Sequence, residues 1–159
     1  MMNGPLSQRA ISLLFVLGLA GCISSDSDAP SSAVAPERDA ITPMQAVFAA
    51  AENPEGIAGT FQIEVRNAGR QNNWLYLNSE EDYRDQRCLT IAIPTDVALL
   101  LKRRFGGDPA VLLKGAVIRV TGTATRTKIL FLSNGVPTDR YYYQTHVLLT
   151  NPSQLSVNP

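Results

Sequence analysis

The sequence predicts an all-β domain that carries one or two helices. Residues 74–77 alternate aromatic and aliphatic side chains, and residues 89–93 place Leu89, Ile91 and Ile93 on one face, as half-buried strands do. A charged connection rich in Asn, Ser and Asp separates these two runs, which is typical of antiparallel neighbours. Further along, Asn134-Gly135 lies between two β-rich segments and predicts a hairpin.

The first strand is predicted over residues 60–66, where Phe61, Ile63 and Val65 alternate with polar side chains. Residues 67–73 are rich in Asn, Gly and Gln, and they predict a turn-rich connector into the strand that begins at Trp74. In the third strand, the face opposite Leu89 and its partners carries Cys88, Thr90 and Ala92.

Two segments have helical spacing. Residues 41–52 begin with Thr42 as a cap and Pro43 at the first helical position, and we expect their apolar stripe to pack on the domain. A second helix is predicted after the third strand, beginning at residues 94–96 and ending before Gly106-Gly107. The apolar stripes are Met44, Val47, Phe48 and Ala51 in the first helix, and Val97, Leu100, Leu101 and Phe105 in the second.

The last part of the chain again has strand character. Residues 115–125 alternate, and Gly122 in their middle suggests a bend or bulge. Residues 128–132 and 141–150 flank the predicted hairpin turn. Three strands, a helix and two more strands are the order of a five-stranded Greek-key barrel, the OB-fold, with a short additional helix before its first strand.

Several short motifs along the chain resemble those of a known superfamily. Over roughly residues 44–157 the chain resembles bacterial OB-fold proteins of the tRNA-anticodon-binding-like, nucleic-acid-binding superfamily. The resemblance implies a fold but transfers no ligand, because one fold serves many functions. The motifs are Leu77-Asn78, Tyr83-Arg84-Asp85, residues 89–93, Leu113-Lys114-Gly115, residues 118–122, residues 144–147 and residues 151–155.

The N-terminus predicts export and lipid attachment. Arg9 precedes ten nearly all apolar residues, 11–20, which are too few to span a bilayer and fit a signal peptide. Leu19-Ala20-Gly21-Cys22 resembles the bacterial lipobox, which implies cleavage before Cys22 and acylation of its sulfur. We therefore expect a signal peptide over residues 1–21, a flexible tether over 22–40 and the OB-fold domain over 41–159. Similarity to Gram-negative lipoproteins implies the outer membrane, facing the periplasm, because Ile rather than Asp follows Cys22.

The net charge of the predicted domain excludes few classes of binding partner. From residue 56 onward twelve Lys and Arg residues face eight Asp and Glu residues, a net charge of +4 that is ordinary for a soluble domain. Basic side chains could contact phosphates, but the interleaved acidic residues favour a solvated surface with ion pairs. These basic residues are Arg66, Arg70, Arg84, Arg87, Arg119 and Arg126.

Candidate ligand-binding residues lie on the predicted barrel face and its connectors. Aromatic side chains there could stack bases or sugars, although the alternation of residues 141–143 also fits aromatics that close the barrel. Tyr83, Arg84 and Asp85 could instead fix the charged connector to the barrel through their side chains. The six candidates for ligand contact are Trp74, Tyr76, Tyr83, Arg84, Arg119 and Tyr142.

We predict no catalytic residue, metal or cofactor. The acidic residues 80–82 and 85 lack the spacing of a calcium loop, and His146 is interpreted as an ordinary strand residue. Cys88 is expected to be a buried free thiol. The predicted function is therefore a non-catalytic binding module of a membrane-anchored envelope lipoprotein, whose partner is a protein, glycan or small oligomer. The alternative is a single-stranded nucleic-acid binder, which the predicted export disfavours.

Overall fold

The computed structural model describes residues 39–157, which belong to one compact unit. Cys22 and the predicted signal peptide lie outside these residues, as does the predicted tether up to residue 38. The described part of the chain is mostly β, so an all-β domain with few helices is confirmed. Its elements are α1 Pro43–Glu52, β1 Ile57–Glu64, β2 Asn67–Gln71, β3 Trp74–Asn78, β4 Leu89–Pro94, α2 Thr95–Phe105, α3 Pro109–Leu112, β5 Val117–Ser133, β6 Val136–Leu148, a 3-10 helix Pro152–Gln154 and β7 Leu155–Val157.

The strands form one sheet in the order β1-β5-β6-β4-β3-β2, and β7 pairs with residues 118–120 of β5 on the edge opposite β1. All neighbours are antiparallel except β4 and β6, which are parallel. The two strands at the ends of this order, β1 and β2, are separated in the chain only by Val65 and Arg66. Val65 exchanges backbone hydrogen bonds with Gly115 and Ala116 (2.8 and 2.9 Å), and Arg66 N donates to Asn78 O at 2.9 Å.

The core follows the period-two pattern of the strands. Phe61 and Ile63 of β1 and Leu75 and Leu77 of β3 are fully buried, whereas Trp74 and Tyr76 are half-buried on the opposite face. β4 lies between β3 and β6, and all its residues from Leu89 to Ile93 are buried. Polar Thr90 is buried with them because its hydroxyl donates to the side-chain oxygen of Asn78 at 2.9 Å.

Helix α1 begins as predicted but buries a different face. Thr42 and Gln45 form a capping box, and Pro43 occupies the first turn. The residues buried against the sheet are Ala46 and Ala50, whereas Met44, Val47, Phe48 and Ala51 are exposed or half-buried, so the predicted stripe is wrong. Small alanines allow a helix to approach a sheet more closely than Met or Phe would.

Helix α2 follows the prediction more closely. Val97 and Leu101 are buried as expected, but Ala98 takes the place predicted for Leu100, which is half exposed. Gly106 ends the helix with φ of 75°, a left-handed conformation that glycine adopts without strain. The basic residues 102–104 lie in the last turn, where they complement the helix dipole.

Two segments that were predicted to separate strands are themselves part of strands. Residues 67–71 form β2, and the turn is confined to Asn72 and Asn73, whose φ values of 48° and 66° are tolerated by Asn. Residues 115–125 and 128–132 were predicted as two strands, but the chain continues between them and forms one strand, β5.

The predicted bend at Gly122 is also wrong, because pairing continues through Gly122 opposite Gly59. A side-chain carbon at Gly122 would lie 2.9 Å from Val147 Cγ1, which explains the glycine. The shift in pairing occurs near the hairpin end, between Leu130 and Leu132. The predicted turn at Asn134-Gly135 is confirmed.

Candidate ligand-binding groove

A groove of about 680 Å³ crosses the half-buried face of the sheet. Its floor comes from β3, β4 and β6, one wall from β2 and the loop of residues 79–88, and the other wall from the β5–β6 hairpin. This groove contains four of the six predicted contact residues. The lining consists of Asn67, Gly69, Arg70, Gln71, Tyr76, Asn78, Tyr83, Arg84, Thr90, residues 129–132, Tyr142, Gln144 and His146.

An aromatic ladder crosses the floor. The rings of Trp74 and Tyr76 are stacked, with centroids 6.5 Å apart and planes inclined by 24°, and Tyr76 lies 6.2 Å from the His146 ring. Alternation within β3 sends Trp74 and Tyr76 to the same face, and the parallel pairing of β4 with β6 brings His146 beside them. Trp74, Tyr76 and His146 also line an adjoining recess of about 210 Å³, so the ladder continues the groove at one end.

The three consecutive tyrosines separate as alternation predicts. Tyr142 faces the groove and packs 5.3 Å from the Phe131 ring. Tyr141 and Tyr143 lie on the opposite face of the hairpin, where their rings contact each other edge to face. Burial raises the pKa of Tyr142, so its phenol group is protonated at neutral pH and can donate to a ligand.

The loop of residues 79–88 is fixed chiefly by side chains of the strands. Asn67 of β2 donates to Glu81 O at 2.7 Å, and Gln144 of β6 donates to Tyr83 O at 2.9 Å. Tyr83 and Arg84 bind mainly each other, since Arg84 Nε donates to the Tyr83 hydroxyl and the guanidinium lies 5.2 Å from its ring centroid. Asn67 and Gln144 therefore fix the loop, in place of the Tyr83 and Arg84 side chains that were predicted to do so. The Tyr83 and Arg84 side chains instead line the groove.

Arg87 closes the loop on itself through Asp85. Its guanidinium and backbone N–H donate to the Asp85 carboxylate, and these hydrogen bonds lower the pKa of Asp85 to about 2. The Asp85 carboxylate therefore remains ionised at any pH well above about 2. Neither Asp85 nor Arg87 lines the groove.

We expect the loop to open locally when its anchor is removed. In Gln144→Leu, amide hydrogen exchange at residues 81–86 accelerates, because the Tyr83 carbonyl loses its donor. Global stability also falls, by about 0.5–1.5 kcal/mol for each hydrogen bond lost, because the Gln144 side chain also bonds to the Tyr142 hydroxyl and to His146. Thr138→Ala is the matched control, because it removes a similar hydrogen bond, to Phe131 O, at the hairpin end. Equal exchange of the loop in both variants would contradict this assignment.

Arg119 lies away from the groove, unlike the other predicted contacts. It is on β5, where Nε donates to Gln62 Oε1 at 3.0 Å and the neighbouring strands are β1 and β7. Three of the other basic candidates form ion pairs: Arg66 with Glu80 at 3.1 Å, Arg70 with Asp108 at 2.6 Å, and Arg87 with Asp85 at 2.7 Å. The groove lining contains Arg70 and Arg84 and, within the described residues, no carboxylate.

Sequence reasoning missed the groove role of Gln144 and His146. His146 Nε2 lies 2.8 Å from Gln144 Oε1. Because the Gln144 amide donates to the Tyr83 carbonyl, its oxygen is the atom turned to His146, which favours a proton on Nε2. Alternation placed Tyr142, Gln144 and His146 on one face, but the pairing of β6 with β4 is needed to bring that face to Tyr76.

His146 makes the domain sensitive to pH. Burial lowers the pKa of His146 below 6.5, so the unfolded chain binds a proton at a higher pH than the folded one does. The stabilisation is complete above pH 6.5 and is lost as pH falls from there through the folded pKa. His146 is the single histidine of the chain, so the ring Cε1–H resonance should titrate below pH 6.5. Urea unfolding of His146→Gln should lose this dependence, and an unchanged pH profile in that variant would contradict it.

Cys88 is buried and unpaired, as expected, with its sulfur 3.6 Å from the Thr90 hydroxyl. Across residues 39–157, no three His, Cys, Asp or Glu side chains come together in a way that could hold a metal ion. In the same part of the chain, no helix has the length and hydropathy needed to cross a membrane.

No protein-family model matches the chain, and no curated protein matches it in sequence. Among solved structures, the chain is similar to a protein described as an aspartyl-tRNA synthetase from Leishmania major Friedlin. The identity is 9% and the TM-score 0.42, over 80% of this chain. The chain spans 22% of the length of that protein.

Proposed function

We propose that residues 41–159 are an OB-type barrel that serves as a non-catalytic binding module of an envelope lipoprotein. The groove would take an extended oligomer, and a glycan fits its chemistry best. The observation that carries this proposal is the ladder of Trp74, Tyr76 and His146, which opens into a groove lined by amides, phenols and guanidinium groups.

The strand connections support barrel closure. β1 and β2 stand at opposite ends of the strand order but adjoin in the chain. Between them, Val65 bonds to Gly115 and Ala116 just ahead of β5, the partner of β1, and Arg66 bonds to Asn78 of β3, the partner of β2. If β1 and β2 are counted as one bent strand and β7 as an addition, five strands remain, with α2 between the third and the fourth. That count and order are those of an OB-fold.

The side chains support a glycan ligand. Flat apolar faces of Trp and Tyr accept sugar rings, while Asn, Gln and Tyr groups exchange hydrogen bonds with hydroxyls, which are both donors and acceptors. The groove has such polar groups on both sides of the ladder: Gln71 on the β2 side and Tyr142 on the β6 side. Asn67 and Gln144 lie beside them, with amides that also hold the loop. In OB-folds the corresponding face binds oligosaccharides or oligonucleotides.

A single-stranded nucleic acid is the second candidate. Arg70 and Arg84 lie in a lining without carboxylates, and aromatic rings stack bases as readily as sugars. Arg70 is already paired with Asp108, which weakens it as a phosphate contact. Attachment to the outer membrane through Cys22, where single strands are scarce, would also disfavour this candidate.

We infer no catalytic role for the two most reactive side chains of the region. The His146 ring is held by Gln144 and packs on Tyr76, while the Cys88 sulfur is buried against Thr90.

The location in the cell envelope is a separate part of the proposal. The intact mass of the exported protein tests this location. We expect the mass of a chain that begins at Cys22 plus the mass of the attached acyl groups, and an unmodified Cys22 would contradict the proposal.

Trp74 is the single tryptophan of the chain, so its fluorescence reports directly on the groove. We would titrate the protein with neutral oligosaccharides, anionic oligosaccharides and single-stranded oligonucleotides at low and high salt. A glycan ligand predicts a change in emission that persists at high salt. A response to oligonucleotides that weakens steeply with salt would favour the second candidate. No response to any class would contradict a ligand at the groove.

A further inference from the structure

The β5–β6 hairpin extends beyond the rest of the sheet. Among the described strands, β1 and β7 pair with β5 only up to Ala124, and β4 pairs with β6 only from Thr145. Residues 127–133 and 136–144 therefore pair only with each other, as a two-stranded ribbon. We call residues 130–137 the hairpin tip.

The tip exposes a cluster of large apolar side chains. Leu132 and Val136 are 65% and 64% exposed, and Leu130 and Phe131 are 44% and 40% exposed. Single apolar residues on a surface are ordinary, but four of them gathered at a protruding turn form a patch of the kind that marks an interaction site.

Cations and tyrosines lie directly behind the tip. Arg126 stands 3.8 Å from the Tyr143 ring centroid and Lys128 stands 4.1 Å from that of Tyr141. Arg140 lies over Phe131 on the other face. In residues 126–143 these three bases are opposed by one acid, Asp139, so the ribbon is positively charged.

We propose that the hairpin tip docks on an anionic lipid bilayer. Behind the small polar turn Ser133-Asn134-Gly135, the order of the side chains matches the layers of a membrane surface. Apolar residues come first and then tyrosines, which favour the headgroup level, with Arg and Lys beside anionic headgroups. The apolar part of the ribbon is about 10 Å long at about 3.3 Å per residue, comparable with the depth that interfacial segments reach.

Docking is shallow. The outer edges of the ribbon have no strand partner in the described part of the chain, and unpaired backbone groups are not tolerated in the hydrocarbon core. The tip therefore lies among headgroups and the first acyl carbons. Docking on a bilayer would give Leu130, Phe131 and Leu132 a second role, because they also form one wall of the groove.

A reporter at the tip tests this proposal in the full chain. The variant Trp74→Phe with Val136→Trp carries its one tryptophan at the tip, and Trp74→Phe with Leu99→Trp places it at an equally apolar, 53% exposed position on α2. Each is mixed with vesicles of phosphatidylethanolamine and phosphatidylglycerol whose acyl chains are brominated. Because the reporter is local, insertion of the N-terminus does not affect the comparison.

We expect the tip reporter to shift to shorter wavelength and to be quenched, while the α2 reporter is unchanged. Adding Arg126→Glu and Lys128→Glu should weaken the apparent vesicle affinity of the tip roughly tenfold or more. The proposal is overturned if the tip reporter is not quenched, if both reporters are quenched equally, or if neutral phosphatidylcholine vesicles give the same response. A shift that appears with protein concentration and without vesicles would also overturn it, because a second copy of the chain would then cover the tip.

Discussion

Phe61→Ala is expected to destabilise the domain by about 3–5 kcal/mol, the range for removing a fully buried aromatic side chain. Phe61 is 0% exposed, lies opposite Val120 in the register of β1 and β5, and is bridged by the backbone of Ile41 ahead of α1. Its loss leaves a cavity where the N-terminal segment, β1 and β5 meet. Urea unfolding followed by the emission of Trp74 measures the change.

Phe48→Ala is the matched control, since Phe48 on α1 is 65% exposed. Its removal should change stability by no more than about 0.5 kcal/mol. The sequence pattern of α1 predicts the opposite, because Phe48 belongs to the apolar stripe. A loss in Phe48→Ala equal to that in Phe61→Ala would therefore show that the helix packs through the stripe and contradict the described face.

Loss of the aromatic ladder should remove most ligand binding at the groove. For a ligand that changes Trp74 emission in the wild-type chain, Trp74→Ala and Tyr76→Ala should each weaken binding roughly tenfold or more, because stacking on one ring is worth about 1–3 kcal/mol. The loss should be in affinity and not in folding, since both rings are half-buried on the outer face. Calorimetric titration measures it, because one variant lacks the fluorophore.

Tyr141→Ala provides the control for this pair. Tyr141 is 49% exposed and lies on the opposite face of the hairpin, where its ring contacts Tyr143 and Lys128. Its removal should leave affinity unchanged. Unaltered affinity in Trp74→Ala and Tyr76→Ala, or an equal loss in Tyr141→Ala, would exclude the ladder as the contact surface.

Local periodicity predicts what is decided locally. The opposite faces of Leu75 and Tyr76 follow from the pleat of a single strand, and the turn at Asn134-Gly135 follows from the positive φ values that these residues accept. The same local reasoning failed at residues 67–73. There a strand rich in Asn, Gly and Gln forms because it pairs with β3, and only Asn72 and Asn73 turn.

Features decided by distant partners were not predictable. The choice of Ala46 over Phe48 as the buried side of α1 depends on how closely the sheet admits a helix, which the spacing of apolar residues within the helix does not specify. The place of His146 depends on the parallel pairing of β4 and β6, which no local pattern encodes. Arg119 was predicted as a contact from its residue type, but its strand position turns it toward Gln62.

The most direct test of the proposed binding groove is a map of amide chemical-shift changes on adding the ligand that alters Trp74 emission. The account predicts that the large changes fall at residues 69–71, 76–78, 83–84 and 142–146, which line or adjoin the groove. Residues 60–63 and 118–120, around Gln62 and Arg119, should be unaffected. Changes concentrated on α1, α2 or the Arg119 region, with the groove residues unmoved, would contradict it.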